Sequence, residues 1–293
     1  MNFLEEQEVW DRLESLKNSE WGTEVTPVET INHNGKKLWL KRDDYYERAG
    51  VRGGKVRSAW FLCNTGMDEG VKGLCTAGAK TSPQINIIAH IAKKLGVDCR
   101  AHCPSGKLGA EVESARGLGA TILQHKPGYN TVIVARARED AKEMGYLNVP
   151  FGMECIEAVL MTALQVGNLP EGVKEIVMPV GSAMSLSGVL WGLEFFGLSN
   201  KVKVTGVQVG ANPNKRLEKY APTGWEEFCS LEKSEMGYSE FVEDNWLGLE
   251  DGKEGVDRIE IDPIYEGKCK PVLNRVLEEN KDEEVLFWIV GLR

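Results

Sequence analysis

The order in which strand-like and helix-like segments follow one another is the strongest constraint on the fold of this 293-residue chain. From residue 73 onward, short apolar runs alternate with segments whose apolar residues recur at helical spacing. Strands that alternate with helices favour an α/β protein with mostly parallel sheets. The predicted strands are 73–77, 97–103, 120–124, 175–180, 202–209 and 285–290, and the predicted helices are 83–96, 111–117, 131–145, 153–166, 188–196 and 272–279.

The first quarter of the chain has a different pattern. Residues 3–17 have apolar residues at helical spacing, which predicts a surface helix. Two short strands, 28–31 and 37–41, flank Asn32-His33-Asn34-Gly35, and an Asn-Gly pair between apolar runs predicts a hairpin. The acidic region 225–257 has no clear periodicity and receives no prediction, whereas 259–261 is a strand or an extended segment.

Charge and cysteine content exclude several classes of protein. The net charge of −9 does not favour general nucleic-acid binding, although it permits a local basic pocket for a small anion. The acidic N-terminus is no signal peptide, and no apolar run approaches 18 residues, so we expect a cytoplasmic protein without a membrane span. The seven cysteines include no Cys-x-x-Cys pair, which favours reduced, buried thiols over a metal site.

Four segments contain residues that could do chemistry, and each has a plainer alternative. Two glycines precede Lys55, which indicates either close backbone approach to a ligand or a solvated turn. The loop after strand 175–180 could bind an anion through backbone N–H groups, or could be a tight turn. Residues 76–84 form a second possible anion cradle, in which Ser and Thr could instead cap a helix. The Tyr265-Glu266 pair beside Gly and Pro could be a surface turn.

Taken together, these features occur in the order seen in one enzyme family. The chain resembles the fold-type II pyridoxal-phosphate enzymes, and within them the aminocyclopropane-carboxylate deaminase and D-cysteine desulfhydrase group. The resemblance extends from about residue 26 to 290. The matching segments are Thr26-Pro27, Lys41-Arg42-Asp43-Asp44, Gly53-Gly54-Lys55-Val56-Arg57, the loops 78–84 and 181–185, and Asp262-Pro263-Ile264-Tyr265-Glu266-Gly267-Lys268.

The resemblance implies a role for each matching position. Lys55 would hold pyridoxal 5′-phosphate as a Schiff base and transfer protons, and Glu266 would lie near the pyridine nitrogen. Ser82 would contact the substrate carboxylate, and Tyr265, with Tyr238 as a poorer match, would act on the substrate. The remaining cofactor-binding positions would be Gly54, Gly181, Ser182, Ala183, Met184 and Ser185, and the substrate-binding positions Gly78, Thr81, Ser82 and Gln84.

The resemblance also implies the architecture. We expect two three-layer α/β domains, a smaller one at 50–160 and a larger cofactor-binding one at 1–49 plus 161–293. The cofactor would lie in the cleft between them, and the substrate would be a small-molecule amino acid. Relatives are dimers, so a homodimer is the expected assembly.

Four departures from the family pattern leave the reaction open. Gly54 replaces an asparagine, Ser58 replaces a basic residue, Pro83 removes an N–H donor from the substrate loop, and the C-terminal tail is short. Three functions remain: a lyase or deaminase acting on an amino acid through an external aldimine, a decarboxylase of an amino acid that could be attached to a modified nucleobase, and a non-catalytic binding protein of the same fold. A weakened carboxylate cradle is compatible with decarboxylation and equally with a larger substrate.

Overall fold

A computed structural model describes residues 5–126, 128, 130–237, 240–248 and 258–291. The chain divides into two compact units. The larger unit contains residues 1–46 and 158–293, and the smaller unit contains residues 47–157. No helix in these described ranges is both long and apolar enough to cross a membrane.

The larger unit is built around a six-stranded sheet in the order β1-β2-β14-β9-β10-β11. The first two strands form an antiparallel hairpin, and every other neighbouring pair is parallel. A separate two-stranded ribbon, β12-β13, is antiparallel. The strands are β1 (Val28–His33), β2 (Lys36–Arg42), β9 (Glu175–Val180), β10 (Lys203–Gln208), β11 (Cys229–Lys233), β12 (Trp246–Leu247), β13 (Ile259–Glu260) and β14 (Val285–Ile289).

The helices of the larger unit cover both faces of this sheet. One apolar cluster packs α8 against the sheet, and a second packs α10 against it. The helices are α1 (Glu6–Lys17), α2 (Glu20–Thr23), α7 (Ile156–Ala163, whose first two residues belong to the smaller unit), α8 (Met184–Phe195), α9 (Asn214–Tyr220) and α10 (Lys270–Glu279), with 3-10 turns at Asp43–Tyr45, Leu164–Asn168, Trp225–Glu227 and Gly267–Cys269.

The smaller unit has a four-stranded, wholly parallel sheet in the order β7-β6-β5-β8. The central strand β5 is buried along its whole length, as expected for a parallel strand covered on both faces. Its elements are β3 (Glu47–Arg48), β4 (Val51–Arg52), β5 (Gly73–Ala77), β6 (Asp98–Pro104), β7 (Thr121–His125), β8 (Leu147–Val149), α3 (Gly54–Asp68), α4 (Pro83–Leu95), α5 (Ala110–Gly117) and α6 (Asn130–Met144), with a 3-10 turn at Phe151–Met153.

Local sequence explains the sharpest turns. The β1-β2 hairpin turns through Asn34 and Gly35, which have φ of 51° and 75°. Positive φ at both central positions matches the twist of a two-residue hairpin, and Asn-Gly adopts it at low cost. Helix α4 ends at Gly96, whose φ of 71° closes the last turn by a left-handed cap.

The Lys-Arg-Asp-Asp segment that resembles the family motif forms a buried hydrogen-bond cluster. The Lys41 ammonium donates to the Thr26 carbonyl at 2.8 Å and to Asn168 Oδ1 at 2.6 Å. The Asp43 carboxylate accepts from Thr26 Oγ1 at 2.8 Å and from Trp288 Nε1 at 3.0 Å. Because these charged groups lie inside the unit with partners, the motif fixes the hairpin to β14 rather than serving as a surface turn.

The predicted elements differ from the observed ones in extent, in starting residue and in number. The predicted helix 153–166 is wrong in extent, because α7 covers only Ile156–Ala163 and 3-10 turns flank it. Helix α8 begins at Met184, four residues before the predicted start. Strands β8 and β11 and helix α9 were not predicted, because their short, mixed-polarity sequences carry little periodic signal.

Candidate active site

The loop at 181–185 lies at the carboxyl end of β9, where parallel α/β sheets bind ligands. Ala183 has φ of 68° and is the N-cap residue of α8. Among the described residues, no side chain at this N-cap accepts a hydrogen bond from the first-turn N–H groups. A left-handed alanine reverses the chain within the loop, so the N–H groups of the first helical turn face outward from the helix end. The positive end of a twelve-residue helix therefore stands at this loop and favours an anion.

Tyr265 lies directly against the first residue of this loop. A Cβ atom added to Gly181 would stand 2.8 Å from Tyr265 Cε1. The tyrosine is held by a local turn in which Asp262 Oδ1 accepts the N–H groups of Ile264 and Tyr265, both at 2.8 Å. Glycine is thus required at 181 by close packing, and the half-buried tyrosine ring borders the anion loop.

Glu266, the next residue, is a fully buried carboxyl. Its Oε1 accepts the N–H groups of Val290 at 2.8 Å and Gly291 at 3.3 Å. Its Oε2 is buried and has no hydrogen-bond partner among the described residues. Burial, followed by the neighbouring Asp262 carboxyl, raises the pKa of Glu266 to about 8. An orphaned, perturbed carboxyl oxygen of this kind marks a functional site.

In the smaller unit, Lys55 is the second residue of α3. The helix starts at Gly53, whose φ of 117° is open only to glycine at low cost. Gly54 is buried at the first helical position, and the Lys55 side chain is exposed. The glycine pair therefore starts the helix sharply and presents the lysine at its N-terminal end.

The predicted substrate loop leads from β5 into α4. Ser82 occupies the N-cap position, yet its side chain makes no capping hydrogen bond among the described residues. A Cβ on Gly78 would stand 2.6 Å from Ser82 Oγ, so the glycine makes room for the hydroxyl. Pro83 fills the first helical position, where its missing N–H has no intrahelical partner to lose. Thr81 is exposed. The capping alternative for Ser82 is therefore wrong.

Gln84 has a structural task in this unit. Its Nε2 donates to Thr76 Oγ1 at 3.1 Å and to the Pro150 carbonyl at 2.8 Å. The Thr76 hydroxyl in turn donates to the Val149 carbonyl at 3.0 Å. The amide nitrogen thus ties α4 to β5 and β8. Its buried Oε1 has no partner within the described chain and can only accept a hydrogen bond.

The structure thus places one group of predicted residues in each unit. The larger unit brings Tyr265 against Gly181 and places Glu266 beside Tyr265 in the chain. The smaller unit brings Gly78 and Ser82 together and presents Lys55 at the start of α3. Tyr238, predicted as a second active-site tyrosine, lies outside the described residues.

A hydrogen-bonded chain of polar side chains in the smaller unit, of which only His102 is buried, was missed by sequence reasoning. Arg136 donates to His125 Nδ1 at 2.7 Å, and His125 Nε2 lies 2.8 Å from His102 Nδ1. His102 Nε2 then lies 2.8 Å from Asp140 Oδ2, and Arg100 donates to both oxygens of Asp140. We call these five residues the histidine chain. They come from β6, β7 and α6, and no sequence motif connects them.

The donors and acceptors in the histidine chain run in one direction. Because Arg136 can only donate, His125 carries its proton on Nε2 and gives it to His102 Nδ1, which leaves the His102 proton on Nε2 for Asp140. Cys75 Sγ joins the cluster, lying within 4.8 Å of His102 and Asp140 ligand atoms. Burial raises the pKa of the Cys75 thiol to about 12. The ring nitrogens and carboxylate oxygens of the histidine chain are therefore already engaged in hydrogen bonds within the chain.

Comparison with known proteins supplies the family. Residues 16–235 match the family described as pyridoxal-phosphate dependent enzyme, which is more than half of the chain. The chain belongs to this family. D-cysteine desulfhydrase of Klebsiella pneumoniae (strain 342) is 27% identical over 301 residues, covering 90% of each chain. The D-cysteine desulfhydrase of Yersinia enterocolitica is 25% identical, covering 91% of each chain.

Solved structures agree on the fold. The crystal structure of an ACC deaminase homologue superposes with a TM-score of 0.76 at 20% identity, covering 95% of this chain and 94% of the other. Threonine deaminase isoform 2 of Solanum lycopersicum superposes with a TM-score of 0.69 at 14% identity, covering 100% and 86%. The enzyme therefore has the fold-type II architecture, with mostly parallel α/β sheets, that the sequence predicts.

The residues present fit the family's cofactor, pyridoxal 5′-phosphate. The loop 181–185 at the start of α8 suits a phosphate. The partnerless Oε2 of Glu266 suits a pyridine nitrogen, because a carboxyl with a pKa of about 8 holds a proton that it can donate to that nitrogen. The Tyr265 ring, packed on Gly181, borders the loop beside this carboxyl. The cysteines are all free, five of them buried, as predicted.

Proposed function

We propose that this enzyme is a pyridoxal-phosphate-dependent lyase or deaminase that breaks a side-chain bond of an amino acid and, with uptake of water, releases ammonia and a 2-oxo acid. One observation carries the proposal above the others. A buried carboxyl oxygen without a partner stands next to a tyrosine that packs on the first glycine of an anion-binding loop. The names of the curated relatives, which are D-cysteine desulfhydrases, support the deaminating class of reaction.

The residues divide the work between binding and proton transfer. Gly181, Ser182, Ala183, Met184 and Ser185 hold the cofactor phosphate through backbone N–H groups and the helix dipole. Glu266 keeps the ring nitrogen protonated, and the ring, when bound, serves as the electron sink.

On the substrate side, the Lys55 amine holds the cofactor and moves the proton at the substrate carbon. Ser82 and Thr81 offer hydroxyls to the substrate carboxylate, and Gly78 leaves space for them. Tyr265, and Tyr238 by resemblance, act as acid or base on the substrate side chain. Gln84 shapes the substrate loop 78–84, and Gly54 shapes the start of α3, which contains Lys55.

The spectrum of the purified protein with and without Lys55 tests the proposal. Wild type should show visible absorption from lysine-bound cofactor, and borohydride should fix the cofactor to a peptide containing Lys55. Lys55→Ala should lose both the absorption and the adduct. Lys93→Ala, which removes an exposed lysine on α4, is the matched control and should retain both.

Turnover distinguishes a lyase from a binding protein. Ammonia and a 2-oxo acid should appear in equal amounts with D-cysteine or another small amino acid, with one equivalent of sulfide released from D-cysteine, and Lys55→Ala should abolish all products. A protein that binds the cofactor at Lys55 but releases neither product from a panel of small amino acids would refute the lyase and favour the non-catalytic alternative.

A decarboxylase remains the second candidate, favoured by the substrate loop. Pro83 has no N–H, and the Gln84 amide nitrogen is already used by Thr76 and Pro150. A carboxylate bound there has fewer donors than in the family pattern and is held less firmly. Release of carbon dioxide without ammonia from a carboxyl-labelled substrate would support this candidate over the lyase.

The proposal extends to assembly and location. A homodimer follows the resemblance, and sedimentation of the purified protein at several concentrations tests it. A cytoplasmic location agrees with seven free cysteines, five of them buried, because reduced thiols persist in that compartment. Fractionation of cells that express the chain tests the location.

A further inference from the structure

The carboxyl edge of the smaller sheet concentrates positive charge in an otherwise acidic chain. Strands β5, β6 and β7 are parallel neighbours, so the loops that follow them lie along one edge. The loop after β5 contains Lys80, the loop after β6 contains Lys107, and the loop after β7 contains Lys126. All three side chains are exposed. None of loop residues 78–82, 105–109 and 126–129 is Asp or Glu, although the net charge is −9.

Backbone hydrogen bonds join these loops into one surface. The Gly109 N–H donates to the Lys80 carbonyl at 2.7 Å, and the Lys80 ammonium lies 3.4 Å from where a Cβ on Gly106 would stand. The Ser105 N–H donates to the His125 carbonyl. The three lysines therefore belong to a continuous rim rather than to separate loops.

The histidine chain adds a fourth cation to this rim. Arg136 is exposed, and its guanidinium is fixed by His125 Nδ1 at 2.7 Å. His125 is fixed in turn by His102 and Asp140 inside the unit. A hydrogen-bond chain that runs inward to the buried His102 thus orients an exposed guanidinium, which lowers the entropy lost when it binds an anion. We define the cationic rim as Lys80, Lys107, Lys126 and Arg136.

Helix ends strengthen the positive potential of the rim. Helices α4, α5 and α6 all begin at this edge, and each directs its positive dipole end toward it. The first turns of α4 and α6 contain no acidic residue. The first turn of α5 contains Glu111 and Glu113, of which Glu113 is paired with Arg116. Cations therefore outnumber carboxylates along the edge.

We propose that the cationic rim binds phosphate groups of the substrate, so that the amino acid transformed by this enzyme is attached to a phosphate-bearing molecule. A free small amino acid has one carboxylate, which the loop 78–84 with its Lys80 is proposed to bind, and this leaves three further cations, Lys107, Lys126 and Arg136, with no substrate group to bind. Phosphate oxygens match both the Lys ammonium groups and the Arg guanidinium. The identity of the amino-acid part rests on the proposed function, whereas phosphate binding by the rim does not.

Anion titration of the cofactor-loaded enzyme tests the rim. Loading fills the cofactor's own phosphate loop, so that inorganic pyrophosphate reports on other sites. Lys107→Ala/Lys126→Ala should weaken pyrophosphate binding about tenfold, measured by calorimetry at low salt. Lys93→Ala/Lys94→Ala removes two exposed lysines from the opposite end of α4 and is the matched control. It should change the affinity less than about twofold.

A second arm identifies the source of the phosphates. A short single-stranded oligonucleotide is titrated into the same three proteins, and its affinity is followed against salt. Binding of pyrophosphate lost only in the rim variant supports a small phosphate-bearing substrate. Oligonucleotide binding lost only in the rim variant, with a shallower salt dependence, supports phosphate recognition on a nucleotide chain.

Two outcomes overturn the inference. They are the absence of binding of either probe to wild type, and equal weakening in the rim and control variants. The visible spectrum of each sample is recorded before titration, because a protein without the lysine-bound absorption refutes the proposed function instead. In that case the comparison of rim and control variants still decides whether the rim binds phosphate.

Discussion

Replacing Glu266 by Gln should remove the pH dependence of stability that the buried carboxyl imposes. The pKa of Glu266 is about 8 in the folded protein, against an ordinary value of 4.5. Between these values the unfolded chain is ionised at this position while the folded chain holds the proton. The folded state then binds more protons, so the free energy of unfolding falls as pH rises.

The magnitude follows from the two pKa values. For a single site, the cost of keeping Glu266 buried is about 1 kcal/mol at pH 5 and about 4 kcal/mol at pH 8. Glu266→Gln keeps an Oε1 acceptor for the Val290 and Gly291 N–H groups and removes the titration. The stability of the variant relative to wild type should therefore rise by at most about 3 kcal/mol between pH 5 and pH 8.

Urea unfolding of the cofactor-free protein at pH 5, 6, 7 and 8, at constant ionic strength, measures this difference. Glu278→Gln changes the same charge at an exposed position on α10 and is the control. A Glu266→Gln difference that stays within about 1 kcal/mol across this range, like that of the control, would show that Glu266 is ionised in the folded state. The argument from its partnerless oxygen would then fail.

Three further substitutions test packing and charge. Gly181→Ala places a Cβ 2.8 Å from Tyr265 Cε1, so cofactor affinity, measured by absorbance titration, should fall about tenfold. The control is Gly117→Ala, which has open space around the new Cβ and should leave cofactor affinity unchanged. Lys41→Met removes one donor from Asn168 Oδ1 and leaves the Thr26 carbonyl with the Asn168 Nδ2 hydrogen bond, so the urea-derived stability should fall by about 2 kcal/mol; a loss under about 1 kcal/mol contradicts the cluster's role. Asp140→Asn removes the charge that anchors the histidine chain and should cost about 2 kcal/mol at pH 7, with weaker pyrophosphate binding as a second readout.

Hydrophobic periodicity and turn-forming residues predicted many of the observed strands, helices and turns. Strand β5 was predicted at its observed bounds, and β9 likewise, because both are short apolar runs flanked by turn residues. The Asn-Gly hairpin was predicted because only a few residues accept positive φ at both positions. Helix α7 was predicted too long, since an apolar run does not show where an α-helix gives way to 3-10 turns.

The candidate site divides in the same way. The glycines before Lys55 and the loop after β9 can be recognised in the sequence, because close backbone approach and strained turns restrict which residues can occupy those positions. Tyr265 and Glu266, by contrast, resemble a polar surface turn when the residues are considered alone. Only the packed structure shows that the carboxyl is buried, that one oxygen lacks a partner and that its pKa is raised.

The sequence by itself predicted the parallel α/β class and the cofactor family, both confirmed, and proposed the positions that would hold the cofactor. Only the tertiary structure shows which residues on neighbouring strands and loops lie side by side. These contacts create the histidine chain and the cationic rim. His102 and His125 are 23 residues apart in the chain and meet because β6 and β7 pair side by side. Strand order and register depend on how whole faces of the sheet pack. The hydrophobic pattern along one segment therefore does not show which strand pairs with it.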